Sequence, residues 1–180
     1  MAEFTRPSSL FREWKLAISV SVVKDIFMRL NFWLCPLAVL VFTCTPFSLA
    51  QQRGTSIERG LFEAVNHARH EQGLKSLKWD DALAKAARKH AERMAGSGAL
   101  SHQFSGEPSL PVRVSSAGVR HSWLSENVAE GKSAAELHEQ FMKSPNHRAN
   151  ILDSDMDTVG IGVAESGGKW FAVEDFCKAK

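Results

Sequence analysis

Residues 158–164 constrain the fold more than any other part of this chain. Val159, Ile161 and Val163 alternate with Gly160, Gly162 and Ala164, the period of two expected of a strand with one apolar face. Ser166-Gly167-Gly168 then supplies a turn and residues 170–173 an apolar return, so the segment reads as a β-hairpin. A lone hairpin is barely stable in water. The small alternate residues leave room for another element to lie close against one face.

Upstream the period changes to that of helices. Thr55-x-x-Glu58 has the form of a capping box, with Ile57, Leu61, Val65 and Ala68 at helical spacing until Gly73, which predicts a helix opening at Thr55. Trp79-Asp80-Asp81 opens a second helix whose stripe is Leu83, Ala87, Ala91 and Met94, and Gly96-Ser97-Gly98 ends it. Its alanines suit close packing. Ser133-x-x-Glu136 is a second capping box ahead of Leu137 and Phe141, in a helix that Pro145 ends. Residues 99–130 carry prolines and glycines without a sustained period, and read as a long loop with short irregular elements, a kind of segment that is often functional. Helices flanking a short antiparallel sheet make an α+β layered domain.

Composition narrows the function. The net charge is +2, and residues 51–180 carry equal numbers of cationic and anionic side chains, so there is no basic stripe for a nucleic-acid backbone. Residues 30–52 lack charge altogether, follow Met28-Arg29 and end in Ser48-Leu49-Ala50, small residues where a signal peptidase reads. The expected organisation is a leader over 1–50, made of an upstream extension 1–27 and a signal peptide 28–50, ahead of a single domain over 51–180. A membrane anchor is the alternative for the leader, since the uncharged run is about long enough to span a bilayer. Leu34 and Thr43 precede Cys35 and Cys44, which does not suit a lipid anchor. Beyond residue 50 the one cysteine is Cys177, so the domain relies on burial and not on an internal disulfide.

Several catalytic patterns fail. Leu74 and Met142 stand where His70-Glu71 and His138-Glu139 would need a second zinc-binding histidine. Asp153, Asp155 and Asp157 begin like a calcium loop, but Thr158 and Ala164 replace its glycine and its bidentate glutamate, leaving an acidic turn. Ser166-x-x-Lys169 falls in the hairpin turn, and there is no nucleophile elbow. Nothing supports a serine or cysteine nucleophile. Trp79, Trp123 and Trp170 read as core or core edge, and Asn127, Asn146 and Asn150 as structural side chains tying loops to backbone.

The segments ALSHQ (99–103), SENVAEG (125–131), SPNHRANIL (144–152) and TVGIGVAESGGKWFAVEDF (158–176), in that order and after VNHAR and LKWDDALAKAARKHAERMA, resemble the CAP superfamily of cysteine-rich secretory, antigen five and pathogenesis-related proteins. The likeness is to its disulfide-poor bacterial SCP-like form. It covers residues 57–176 and implies an α-β-α sandwich with a cavity lined by two histidines and two glutamates that can bind a divalent metal. Matched by motif, His102 and His147 are the histidines and Glu126 the first glutamate. The second glutamate is absent: Phe141-Met142-Lys143-Ser144 matches that stretch and puts Ser144 at its position, a cavity neighbour, while Glu139 projects elsewhere. Two imidazoles and a carboxylate suit zinc or another divalent metal and leave a coordination position open. No organic cofactor is expected.

The resulting expectation is a secreted, periplasmic or extracellular binding or interaction module for an extracellular ligand, a lipid among the candidates, or a cell-envelope partner, without nucleic acid and with a membrane only if the leader stays. Its rivals are a metal-dependent hydrolase, with Glu126 as ligand or base, and a carrier of sterol or other lipid. The leader reading has a direct check. Mass spectrometry of exported protein should find Gln51 at the amino terminus, whereas retention of residues 1–50 in the membrane fraction would favour the anchor.

Overall fold

The structure, a computed structural model, describes residues 46–180, with side chains from residue 54 onward; the leader reading for residues 1–45 lies outside them. The first helix, α1 (Pro46–Glu71), begins well before the Thr55 capping box and runs unbroken past Ala50-Gln51. The expectation of a helix start at Thr55 is therefore corrected. Glu58 is not needed at a helix end and serves elsewhere: it is buried, its carboxylate accepts from Nε and one terminal nitrogen of Arg88 at 2.6 and 2.7 Å, and Oε1 also accepts from Val163 N–H.

After a two-residue strand, β1 (Lys78–Trp79), comes α2 (Asp81–Ser97), capped by Asp80 accepting from Leu83 N–H as its sequence predicts. Residues 99–130 are only partly loop. They hold a short helix, α3 (Leu110–Ser116), and then β2 (His121–Gly131), an eleven-residue strand that the expected loop did not foresee. α4 (Ala134–Lys143) opens on the predicted Ser133 cap, and Ser144 both ends it and caps α5 (Pro145–Ile151). The hairpin is β3 (Thr158–Ser166) and β4 (Lys169–Ala179). Gly167 and Gly168, at φ 60° and 76°, form a two-residue turn whose twist suits paired strands and which few other residues could make.

The sheet order is β1-β3-β4-β2. β3 and β2 flank β4 antiparallel, while β1 joins β3 in parallel, so the sheet is mixed and not purely antiparallel as expected. Val159, Ile161 and Val163 point to one face, where they pack with Leu61 and Val65 of α1, Leu137 and Phe141 of α4, and Ile151 of α5. The opposite face belongs to α2, whose Ala87, Ala91 and Met94 meet Val128, Phe171 and Val173. Leu83, Val114 of α3 and Cys177 extend that layer. Residues 47–180 thus form one compact α-β-α unit.

The small residues of β3 do what their alternation suggested. A Cβ on Gly160 would lie 2.3 Å from Ala84 N, and one on Gly162 2.1 Å from Arg88 N, so the backbone of α2 rests directly on β3. Trp123 departs from its core reading: it is 60% exposed near the start of β2. A pair of substitutions tests the close approach. Gly162→Ala should destabilise by about 3 kcal/mol or more, since a backbone must retreat, while Gly96→Ala, with nothing within 4 Å, should be neutral or stabilise by up to about 1 kcal/mol. Chemical denaturation of the two variants reads the difference.

Candidate functional site

Successive residues of a strand point to opposite faces, and β2 uses this at its centre. Glu126 turns toward α2 and α3, and Asn127 toward α1 and α5. Each is paired across the sheet with an acid on β4, Glu126 with Asp175 and Asn127 with Glu174. Four polar side chains thus occupy positions where a sheet interior ordinarily holds apolar ones, and all four are buried.

The Glu126 carboxylate is 3% exposed and both its oxygens are engaged. Oε1 faces His102 Nδ1 at 2.9 Å, and Oε2 accepts from the Arg113 guanidinium in a charge-assisted bond. Arg113, from α3, also donates to the carbonyls of His102 and Pro108, which ties the loop after α2 to the strand. Asp175 lies opposite with neither carboxyl oxygen otherwise hydrogen-bonded. Burial first, and then the negative charge of Glu126, push its pKa well above the usual carboxylate range, outweighing the attraction of Arg113. The neutral form of Asp175 is thereby favoured, while the Arg113 guanidinium pairs with Glu126. A second tie lies beside them: His90, wholly buried on α2, contacts Glu107 Oε1 through Nδ1 and Ser101 O through Nε2, at 2.8 and 2.7 Å.

On the other face Asn127 Nδ2 donates to Glu174 Oε2 and to His147 O, and Asn150 donates to Asn127 Oδ1 and to Glu126 O. These amides hold α5 against β2, as the structural reading of Asn127 and Asn150 expected. His147 sits in the first turn of α5 and its ring stands edge-on to Phe141, centroids 5.4 Å apart. Its N–H donates to the Ser144 hydroxyl, so Ser144 is engaged as a helix cap beside the histidine. Burial, and secondarily the charge of His102, hold the His147 imidazole below its ordinary pKa. It is neutral at pH 7.

Of the sequence-derived residues, His102 and Glu126 are in direct contact, and His147 is near enough to feel the charge of His102. Among the described residues no three His, Cys, Asp or Glu side chains are gathered as a metal-ligand set. The donor chemistry fits a different arrangement. With Nδ1 turned to Glu126, His102 keeps Nε2 for a ligand, and its side chain is 61% exposed. Arg113, Asp175, Glu174 and the His90–Glu107 couple were missed from sequence. One signal was available: Glu174 and Asp175 stand between Val173 and Phe176 in the return strand, and neighbours on opposite faces of a covered sheet must both be buried.

The chain belongs to the cysteine-rich secretory protein (CAP) family, whose profile matches residues 62–176. It is 33% identical over 117 residues to YkwD, an uncharacterised protein of Bacillus subtilis (strain 168), a match covering 64% of this chain and 46% of that one. YlbC, an uncharacterised membrane protein of the same organism, is 31% identical over 113 residues, covering 61% and 32%. The fold is shared with an extracellular SCP-domain protein from Bacillus anthracis str. Ames, TM-score 0.69 at 24% identity, covering 75% of this chain and 44% of that one. The chain spans less than half the length of these relatives. Among the described residues, no helix is long and apolar enough to cross a membrane.

Glu174 generates a pH prediction. Burial drives its pKa from the ordinary 4.5 to about 8, against the hydrogen bond from Asn127. The folded protein then holds a proton that the unfolded chain releases, so this group's contribution to stability is full below 4.5 and declines as pH rises toward about 8. Glu174→Gln should flatten that decline in the thermal midpoint without abolishing it, because Asp175 contributes in the same direction. An unchanged slope would mean that Glu174 ionises normally.

Proposed function

We propose that the chain is an exported CAP-type binding module whose cleft, at the free edge of β2, presents His102 and His147 to an extracellular ligand or cell-envelope component. The observation that carries this reading is the state of Glu126. Both of its oxygens are occupied, by His102 and Arg113, and a carboxylate so held orients an imidazole instead of accepting a substrate proton. That supports binding over hydrolysis. The extracellular and membrane descriptions of the relatives, and the uncharged leader, support a location outside the cytoplasm.

A divalent metal such as zinc would be held by His102 Nε2 and by His147, with Glu126 behind His102 and not in the metal's own shell. Bound there, it would supply an electrophilic point for an oxygen of the ligand. Arg113 holds Glu126 by a charge-assisted bond, and Asn127 and Asn150 keep α5, and so His147, in place.

Zinc titration by calorimetry tests this arrangement. Wild type should bind, and His102→Ala and His147→Ala should each lose most of the affinity while remaining folded. Glu126→Gln should weaken binding by about 10- to 100-fold, the usual effect of losing an orienting partner. Affinity should fall as protons compete for the imidazoles below about pH 6.5. Equal binding by wild type and both histidine variants would reduce the histidines to polar lining.

A further inference from the structure

On the outer side of Arg113, α2, α3 and residues 106–108 enclose a cavity of about 410 Å³. One wall carries Lys85, Lys89 and Arg93, which recur every four residues of α2 and so share one face of it. The facing wall holds Arg113 and Ser116 from α3, and Glu107 is the one acid among the lining residues. A basic helix stripe is usually just solvated. Here another helix comes back over it, and the charges do not cancel.

Glu107 turns its oxygens away, Oε1 to His90 and Oε2 to Phe104 N–H, with Arg93 Nε 3.9 Å from Oε2. Arg93 also donates to Ser105 O and lies over the Phe104 ring. Lys85 and Lys89 make no ion pair among the described residues, so two positive charges remain over. Arg113 gives a second and independent pointer. Its side chain is 7% exposed and its terminal nitrogens serve Glu126 and two carbonyls, yet Nε is buried with no partner. A buried donor left unpaired is costly unless something outside the chain accepts from it.

We propose that this cavity binds a phosphate ester, its phosphoryl oxygens taken by Lys85 and Lys89 from α2 and by Arg113 Nε from α3. Donors arriving from two walls match a tetrahedral oxyanion better than a planar carboxylate, which has two oxygens in one plane. The volume exceeds what a bare phosphate fills and lies in the range of small-ligand pockets. Ala86, Pro108 and Ala117 give the esterified carbon group an apolar surface. This site goes beyond the histidine cleft and does not rest on it, since Arg113 is the one side chain they share.

Calorimetric titration with glycerol 3-phosphate and, separately, with vesicles containing phosphatidylglycerol provides the test, with citrate as the carboxylate control. Saturable binding to either phosphate probe supports the site: the first assigns a free ester, the second a lipid headgroup. Lys85→Ala and Lys89→Ala should each weaken binding about tenfold, the worth of one charge-assisted hydrogen bond, with the thermal midpoint unchanged because both side chains are exposed. The Arg113 Nε–H resonance should shift on binding, and His147→Ala should bind phosphate as wild type does. The proposal is overturned if neither phosphate probe saturates, if citrate binds as tightly, or if the double lysine variant retains wild-type affinity.

Discussion

A negative charge buried at Glu126 has to be answered within the protein, and the partner that answers it, Arg113, determines how much of this molecule is arranged. Withdrawing a carboxylate from water costs several kcal/mol unless an opposite charge and further hydrogen bonds replace the solvent, on the order of what a whole domain has to spare. Arg113 supplies the charge and then extends to the carbonyls of His102 and Pro108, which holds α3 and the loop after α2 over the strand. His102 completes the set from the rim. Burial first, and then the charge of Glu126, raise the Asp175 carboxyl across the ladder well above the usual carboxylate range. The position of His102 at the rim therefore follows from how a single charge was accommodated.

The second constraint is mechanical. With Gly160 and Gly162 under it, α2 lies at backbone distance from β3, and this approach places His90 where it meets Glu107 and Ser101. Were the helix held off by ordinary side chains, the loop carrying His102 would be anchored farther from Glu126. On the far side of the sheet, Glu58 of α1 reaches past the strand to Arg88 of α2, so the two helices are joined across the sheet by an ion pair buried at its Glu58 end. Arg69 does a similar task at the end of α1, donating to the carbonyls of Lys75, Ile151, Asp153 and Met156.

What could be read in the sequence was local. The hairpin, α2 and α4 announce themselves through alternation, caps and turn glycines that act within a few residues, and each was found where those signals stood. The start of α1 was misplaced because Thr55 and Glu58 imitate a cap, whereas Glu58 is committed to a partner thirty residues on. β2 was missed for a reason tied to the site: Glu126 and Asn127 take the two inward positions at its centre, and by replacing apolar residues there they erase the period that marks a strand. The pairing of His102 with Glu126 came from the likeness to a family. Arg113, Asp175 and Glu174 owe their roles to register across β2 and β4, which no local pattern encodes.

Edge strands are ordinarily among the first parts of a sheet to open. β2 has one side unpaired, yet Glu126 stands at the midpoint of its eleven residues, and the strand is registered against β4 without a break from Trp123 to Gly131. Fraying from the His121 end must peel away Trp123, Leu124 and Ser125 before it reaches that point, and fraying from the Gly131 end must first uncover Val128 and Ala129. Separating Glu126 from Asp175 then exposes a carboxylate, an arginine and a second acid together. Amide protons at the centre of this strand should therefore exchange with solvent only through openings close to global unfolding, giving an edge strand the lifetime of a central one at the position that holds His102.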